Sequence, residues 1–319
     1  MVVPETSESA PCAMRMLALR TALEATGVSV DVVPPNVSIF AKLRMAYATR
    51  AVLVTMPPFR NLWMAALPGV RAVFDWRDGW SIGLRNGFGG TENPRRILAL
   101  VAKTIELSAI VFASKIITCT PGLHAYHIRG LPDRLRKKII LAPNGHQIEI
   151  NADCFQERSL SQLPALTLIC AGKFGEYGID QVRRTLTILR ERYSRQNIVL
   201  RVVGSNRRGQ DEINDLAKSL DIDIQWEGRK PYEKLLHDIR SADMAVSVLR
   251  DERYDFGTKI FDYVALGVPV LDAFTDRNLR EYFSGCFDTD YDPRIARKKA
   301  SDFRRVNISD VMATELQAL

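Results

Sequence analysis

The residues with the clearest chemical potential lie in one segment, Tyr254-Asp-Phe-Gly-Thr-Lys-Ile-Phe-Asp-Tyr-Val-Ala-Leu-Gly-Val-Pro-Val-Leu271. It reads as a loop, a helix opening at Gly257-Thr258, a Gly-Val-Pro turn and an apolar strand. A helix start has N–H groups without intrahelical partners and the positive end of the helix dipole, so it suits a phosphate. Lys259, in the first turn, adds a full positive charge. Asp262 falls on nearly the same face, where its carboxylate can accept hydrogen bonds from ribose hydroxyls. The plain alternative is a helix N-terminus with a solvated lysine and aspartate.

A second candidate is Asp75-Trp-Arg-Asp-Gly-Trp80, at the end of an apolar run in the first half of the chain. In open α/β sheets ligands lie beyond the carboxyl ends of the strands, so Arg77 and Asp78 are expected to face a cleft. The alternative is a structural Arg77–Asp78 ion pair. The stretch Ser81–Gly90 reads as a glycine-rich loop able to close over a ligand, with the next helix opening at Asn93-Pro94. His146 follows Asn144-Gly145 and is placed at the hinge, within reach of the cleft. His124 and His127 share a helix face but lack a third ligand, so no metal site is expected. No dinucleotide fingerprint and no Walker lysine pattern occurs.

The elements that must position these residues alternate along the chain. Apolar runs at Val28–Val33, Ala51–Thr55, Arg71–Phe74, Lys115–Cys119 and Lys138–Ala142 read as strands, as do Ala165–Ala171, Asn197–Val203, Ile222–Trp226, Met244–Val248 and Val268–Leu271. Helical periods lie between them, at Met14–Thr26, Arg95–Phe112, Gln181–Arg192, Asp211–Leu220 and Tyr232–Ala242. Short apolar strands alternating with helices imply parallel sheets covered on both faces. Two such series predict an α/β chain of two doubly wound, Rossmann-like domains, residues 1–150 and 151–319, facing a cleft. The final helical segment, Asp292–Leu319, interrupted near Val306-Asn307, can cross back onto the first domain. The opening Met1-Val-Val before Pro4 is expected to give only a stub of a first strand.

The order of motifs resembles the GT-B glycosyltransferases, particularly glycosyltransferase family 4 of the type that builds bacterial surface polysaccharides. Thr258-Lys-Ile-Phe-Asp-Tyr-x-Ala-Leu-Gly-x-Pro-Val270 is similar to their donor-binding signature. Trp226-Glu-Gly-Arg229, Tyr232-Glu-Lys-Leu235, Ser241-Ala-Asp243, Leu168-Ile-Cys-Ala-Gly-Lys173 with Gly178-Ile-Asp180, and Leu200-Arg-Val-Val-Gly204 recur in the family's order. Asp75–Trp80, Ile116-Ile-Thr-Cys-Thr120 and Pro143-Asn-Gly145 fit the first domain.

The resemblance implies transfer of a sugar from a nucleotide-diphosphate sugar to a glycan or lipid-linked acceptor, with retention of configuration and without metal or cofactor. Gly172 would let the backbone approach the diphosphate, and Lys173 and Lys259 would neutralise it as it leaves. Gly257 and Thr258 would hold phosphate, Arg229 would lie beside the base, and Asp262 would hold the ribose. Asp78 is expected to contact the acceptor or the donor sugar, with Arg77 and His146 on the acceptor side. Two positions depart from the pattern: Tyr254 stands where the family often has a glutamate, and Tyr177 where it often has a basic residue. Glu252 or Asp255 could replace that glutamate only with a different loop. A non-catalytic nucleotide- or glycan-binding subunit, and more remotely a sugar-nucleotide epimerase, are the alternatives.

Bulk features narrow the setting. The 319 residues are 46% apolar and 25% charged, which excludes a disordered chain or a disulfide scaffold. The net charge of +7 is uneven, since residues 1–150 hold 18 basic and 10 acidic side chains. A basic cluster at Arg129, Arg134, Arg136, Lys137 and Lys138, with Lys42, Arg44, Arg50 and Arg60 around Phe40, Leu43, Phe59, Leu62, Trp63 and Met64, reads either as a solvated face or as a surface for anionic lipid. No nucleic-acid motif accompanies the charge, so no nucleic-acid partner is expected. Five scattered cysteines without C-x-x-C read as small buried hydrophobes in a reducing compartment. The expected location is the cytoplasm, peripheral on the inner face of the membrane.

Overall fold

A computed structural model describes residues 2–3, 11–33, 37–56, 59–86, 95–157 and 159–317. The chain divides into two compact units, Met1–Asn144 with Arg305–Leu319, and Gly145–Arg304.

The first unit is built on five parallel strands in the order β1 (Val2–Val3), β2 (Ala51–Met56), β3 (Arg71–Trp76), β4 (Lys115–Thr118) and β5 (Ile139–Leu141). Its helices are α1 (Pro11–Ala25), α2 (Ile39–Thr49), α3 (Trp80–Asn86), α4 (Arg96–Phe112), α5 (Pro121–Ile128) and α6 (Asp133–Arg136). Successive strand residues point to opposite faces. Val52, Val54 and Phe74 join one core cluster, while Leu53, Val73 and Ile117 join another with Leu19 of α1. Both faces are covered, which is why these strands read as unbroken apolar runs.

The second unit holds four parallel strands in the order β8 (Ile222–Glu227), β7 (Asn197–Val203), β6 (Ala165–Ala171) and β9 (Met244–Ala245). Its helices are α7 (Ile179–Arg192), α8 (Gln210–Ser219), α9 (Tyr232–Arg240), α10 (Lys259–Ala265), α11 (Arg277–Tyr282) and α12 (Pro293–Asp302). After α12 the chain breaks at Phe303-Arg304, and α13 (Arg305–Gln317) packs with α1 in the first unit through Ile308, Met312 and Ala313. The α12 start is fixed by chemistry: Asp292 Oδ1 accepts from Arg294 and Ile295 N–H at 2.8 and 3.2 Å, and Pro293 occupies the first helical position.

The two Rossmann-like sheets match the expected fold class, with local corrections. Val28–Val33 forms no strand; Val28 and Val32 remain 40% and 43% exposed. Val30 and Val33 are buried and Val32 makes only an isolated bridge, so the run packs without extending into a ladder. Residues 80–86 are helical rather than loop, because Glu106 caps that helix from α4 by accepting Ser81 N–H at 2.9 Å. The rest of the expected glycine loop, residues 87–90, and the helix start at Asn93-Pro94 lie outside the described residues. The lipid-facing grouping also changes. Lys42, Leu62 and Met64 are buried, and Phe59 and Trp63 pack against the core, so only Phe40 of that apolar set is strongly exposed.

Candidate nucleotide site and the first-unit acids

The second unit turns its strand ends with glycines. Gly172 follows β6 at φ +99°, and its N–H donates to Val203 O at 2.8 Å. Gly204 follows β7 at φ +82°, and its N–H donates to Glu227 O at 3.1 Å. Both conformations are left-handed, which glycine adopts without the Cβ penalty. A Cβ on Gly172 would stand 4.0 Å from Lys259 Cγ, and one on Gly204 3.8 Å from Arg229 Cγ. The carboxyl ends of β6 and β7 therefore bring two cationic residues beside bare backbone, where an anion can approach closely.

α10 is pinned to this edge by Tyr263. Its buried hydroxyl accepts from Ala171 N–H at 2.8 Å, one residue before Gly172. Burial pushes the Tyr263 phenol well above its usual range, so it stays neutral and keeps this role. Lys259 then projects from the first turn. Its Nζ lies 2.9 Å from Asp262 Oδ2 and 4.9 Å from the centre of the Tyr232 ring. Tyr232 Oη donates to Asp262 Oδ1 at 3.1 Å. Tyr232 belongs to α9, and no local spacing in the sequence signals its contact with α10.

The neighbouring loops are organised by carboxylates. Glu176 accepts from Phe174 N–H and Asn206 N–H at 2.8 and 2.9 Å and from Ser205 Oγ at 2.9 Å. Burial alone would raise its pKa, but these hydrogen bonds outweigh that and lower it. Lys173 Nζ stands 5.2 Å from the Tyr177 ring centre, so the tyrosine at the departing position faces a cation. Gly257, at φ +66°, donates its N–H to Asp255 Oδ1 at 2.8 Å. Thr258 precedes α10 without a side-chain capping bond. Glu252 is buried; it pairs with Arg184 and accepts from Thr275 and Asp276 N–H at 2.5 and 2.9 Å. It fastens the loop before α10 to the N-terminus of α11.

At the end of β8, Glu227 and Asp238 of α9 form a charged network with Arg201 and Lys230, with Arg201 Nε 2.6 Å from Glu227 Oε1 and Lys230 Nζ 2.5 Å from Asp238 Oδ2. It frames the turn that carries Arg229.

In the first unit the two acids of the Asp75–Trp80 element separate. Asp75 is fully buried and receives Arg15 Nε and Nη2 at 3.1 and 3.0 Å. Arg15 also donates to Ala142 O and Pro143 O, both at 2.7 Å. Asp75 is thus a fold-holding group. Arg77 and Asp78 follow, each partly buried, and Arg77 O accepts from the Cys119 thiol at 3.1 Å.

His146 is 1% exposed. Its Nδ1 accepts from Ile148 N–H at 3.1 Å and its Nε2–H donates to Ala300 O at 2.8 Å. Both ring nitrogens serve the second unit's own backbone, so its geometry is that of a fastener rather than an acceptor contact. His127 is fully buried, stacks on Trp76 at 4.6 Å, and is pushed down to about 3 by burial, with Lys103 and His124 adding to the effect. Among the described residues no group of three or more His, Cys, Asp or Glu is arranged to hold a metal. Cys119, Cys154, Cys170 and Cys286 are buried free thiols.

Residues 165–283 match the family model described as glycosyl transferases group 1. That segment contains Gly172, Lys173, Arg229, Gly257, Thr258, Lys259 and Asp262. No curated protein matches the chain by sequence. Among solved structures the chain is similar to a glycosyltransferase from Rickettsia africae, with 10% identity over 99% of this chain and 96% of that one, at a TM-score of 0.61. It is similar to Anabaena Alr3699/HepE in complex with UDP and glucose, with 13% identity over 100% and 99%, at 0.62. It is also similar to an alpha-glucosyltransferase in complex with UDP-glucose and DNA containing an abasic site, with 10% identity over 99% and 97%, at 0.55. These likenesses establish the GT-B fold, and the family match supports a glycosyltransferase.

Proposed function

We propose that the chain transfers a sugar from a nucleotide-diphosphate sugar to a glycan or lipid-linked acceptor, with retention of configuration, in the synthesis of a cell-surface polysaccharide or glycolipid. The observation that carries the reading is the placement of Lys259 beside the bare backbone of Gly172, within the segment that matches the group 1 glycosyltransferases. In this reading the bond between the anomeric carbon and the diphosphate oxygen breaks, a bond to an acceptor hydroxyl oxygen forms on the same face of the sugar, and the hydroxyl proton passes to the departing diphosphate. Charge accumulates on the departing diphosphate. Lys259 and Lys173 meet it, Gly172, Gly257 and Thr258 supply backbone approach, and Arg229 lies beside the base. Asp262 holds the ribose, and Tyr232 orients its carboxylate. Asp78, with Arg77, contacts the acceptor or the donor sugar. The chemistry calls on no metal or cofactor, and the acceptor is not a nucleic acid. The chain works in the cytoplasm, peripherally on the inner face of a membrane.

One observation favours a second reading, a non-catalytic binding subunit. Tyr254 stands where the family often has a glutamate that contacts the donor sugar, and nearby Glu252 is held by Arg184, Thr275 and Asp276. A thermal-shift screen of nucleotides and nucleotide sugars, followed by product analysis with the stabilising donor, separates the two. Sugar transfer or donor hydrolysis supports the enzyme; stabilisation without turnover across donors and glycan acceptors supports the binding subunit.

A further inference from the structure

The outward face of α4 is bare and apolar along its length. Ile97, Leu100, Val101, Ile105, Val111 and Phe112 are exposed, Ile97 by 79%, Leu100 by 70% and Phe112 by 64%. With Thr104 and Ser108 between them they follow three- and four-residue spacings, which place them in one stripe about 22 Å long at 1.5 Å per residue. The polar residues within it do not break it: Thr104 Oγ1 donates to Leu100 O at 3.1 Å, and Ser108 Oγ to Thr104 O at 3.0 Å. Both hydroxyls are turned back onto the helix's own carbonyls. The charged residues of the helix interior lie elsewhere. Glu106 is buried against Ser81, and Lys103 sits 3.9 Å over the Tyr126 ring.

Both ends of the stripe are basic. Arg95 and Arg96 are exposed at its start. At its finish Lys138 Nζ donates to Val111 O and Ala113 O at 2.7 and 2.8 Å, which brings the exposed Arg134, Arg136 and Lys137 to that end. Asp133 is the acid there, 3.7 Å from Arg136. A second copy of this chain fits poorly. Two-fold pairing of α4 on itself sets basic end against basic end whether the helices run parallel or antiparallel, and like charges across an interface are costly. An anionic bilayer fits both features, with acyl chains against the stripe and lipid phosphates at each end.

We infer that α4 is the element by which the chain lies on an anionic lipid surface, with the Ile97–Phe112 stripe at the headgroup boundary. No helix of the described residues is long and apolar enough to cross a membrane, so the contact is interfacial. This names the surface for the membrane association proposed above and takes its purpose from that reading, while its test needs no turnover.

The test is sedimentation of the full chain with vesicles of phosphatidylcholine alone and of phosphatidylcholine mixed with phosphatidylglycerol. The chain is expected to sediment with the mixed vesicles only, and less as salt rises. The double variant Ile97→Glu, Leu100→Glu is expected to lose at least about tenfold in vesicle affinity, because it places charge in the apolar boundary, with an unchanged thermal midpoint. Equal binding by the variant, or none by the parent chain, overturns the inference. So does a parent dimer, seen by sedimentation velocity, that the variant converts to monomer without any vesicle binding. UDP titration of the same samples keeps the two ideas apart: UDP binding without vesicle binding overturns the lipid contact alone, and vesicle binding as described without UDP binding supports it.

Discussion

Lys259 and Asp262 meet as an ion pair on α10, with Nζ 2.9 Å from Oδ2, and Tyr232 completes the carboxylate from the other side at 3.1 Å. Asp262 is 5% exposed, whereas the Lys259 side chain keeps 30% of its surface. The acid is the fixed member, and it holds the cation at the edge where Gly172 leaves the backbone open. In the proposed function, a donor diphosphate would meet a lysine that is already ordered, which lowers the entropic cost of binding.

Tyr263 is expected to position this edge rather than to touch ligand. Tyr263→Phe removes the acceptor for Ala171 N–H inside the core, an unsatisfied donor worth about 1–3 kcal/mol. Calorimetric unfolding should show the loss, and UDP affinity should fall with it. Unchanged stability would contradict a positioning role for the hydroxyl.

The two acids of the Asp75–Trp80 element are expected to fail differently. Asp75→Ala strands Arg15 in the core, and breaking such a buried pair costs about 3–5 kcal/mol. Asp78→Asn should leave the thermal midpoint within a degree or two and cut transfer severely. Circular dichroism melts beside product assays check both, and near-normal turnover by Asp78→Asn rejects its direct role.

Gly267 closes the turn after α10 at φ +63°, and a Cβ there would lie 2.4 Å from the Cys154 carbonyl oxygen. Gly267→Ala combines backbone strain with a clash against main chain, together about 2 kcal/mol or more. At roughly 2–4 °C per kcal/mol for a unit of this size, the melting transition should drop by several degrees.

Acid should weaken the second unit through Glu227 and Asp238. Arg201's hydrogen bond, with Lys230's, holds Glu227 below its usual range; for Asp238 burial pulls upward, but hydrogen bonds from Lys230 and Arg201 prevail. Both carboxyls bind protons less readily folded than unfolded. Their stabilisation is complete above their unfolded values near about 4 and is lost as pH falls through the lower folded ones. Scanning calorimetry should show the midpoint falling below that range, and Arg201→Met should flatten the fall.

What the sequence made legible was local. Lys259 and Asp262 sit within one turn of α10 with Gly257 two residues before it, so their spacing carried their relation, and the glycine ends of β6 and β7 lay in apolar runs with one plain reading. Contacts from distant segments were not legible. Nothing near Asp75 announces Arg15, nothing near Asp262 announces the Tyr232 hydroxyl, and His146 looked available because the carbonyl of Ala300 is far away in sequence. The exposed stripe on α4 is not legible for the same reason. Periodicity shows that a helix has an apolar face, but only packing shows that α4 has a second one left uncovered.

The most direct test of the proposed transfer is calorimetric titration of UDP and other nucleoside diphosphates into the parent chain and Lys259→Ala. Saturable binding of one of them by the parent is expected, with a loss of about 10-fold or more in the variant, the scale of one lost charge-assisted contact, measured below the variant's unfolding transition. Equal affinity in the two proteins would contradict it.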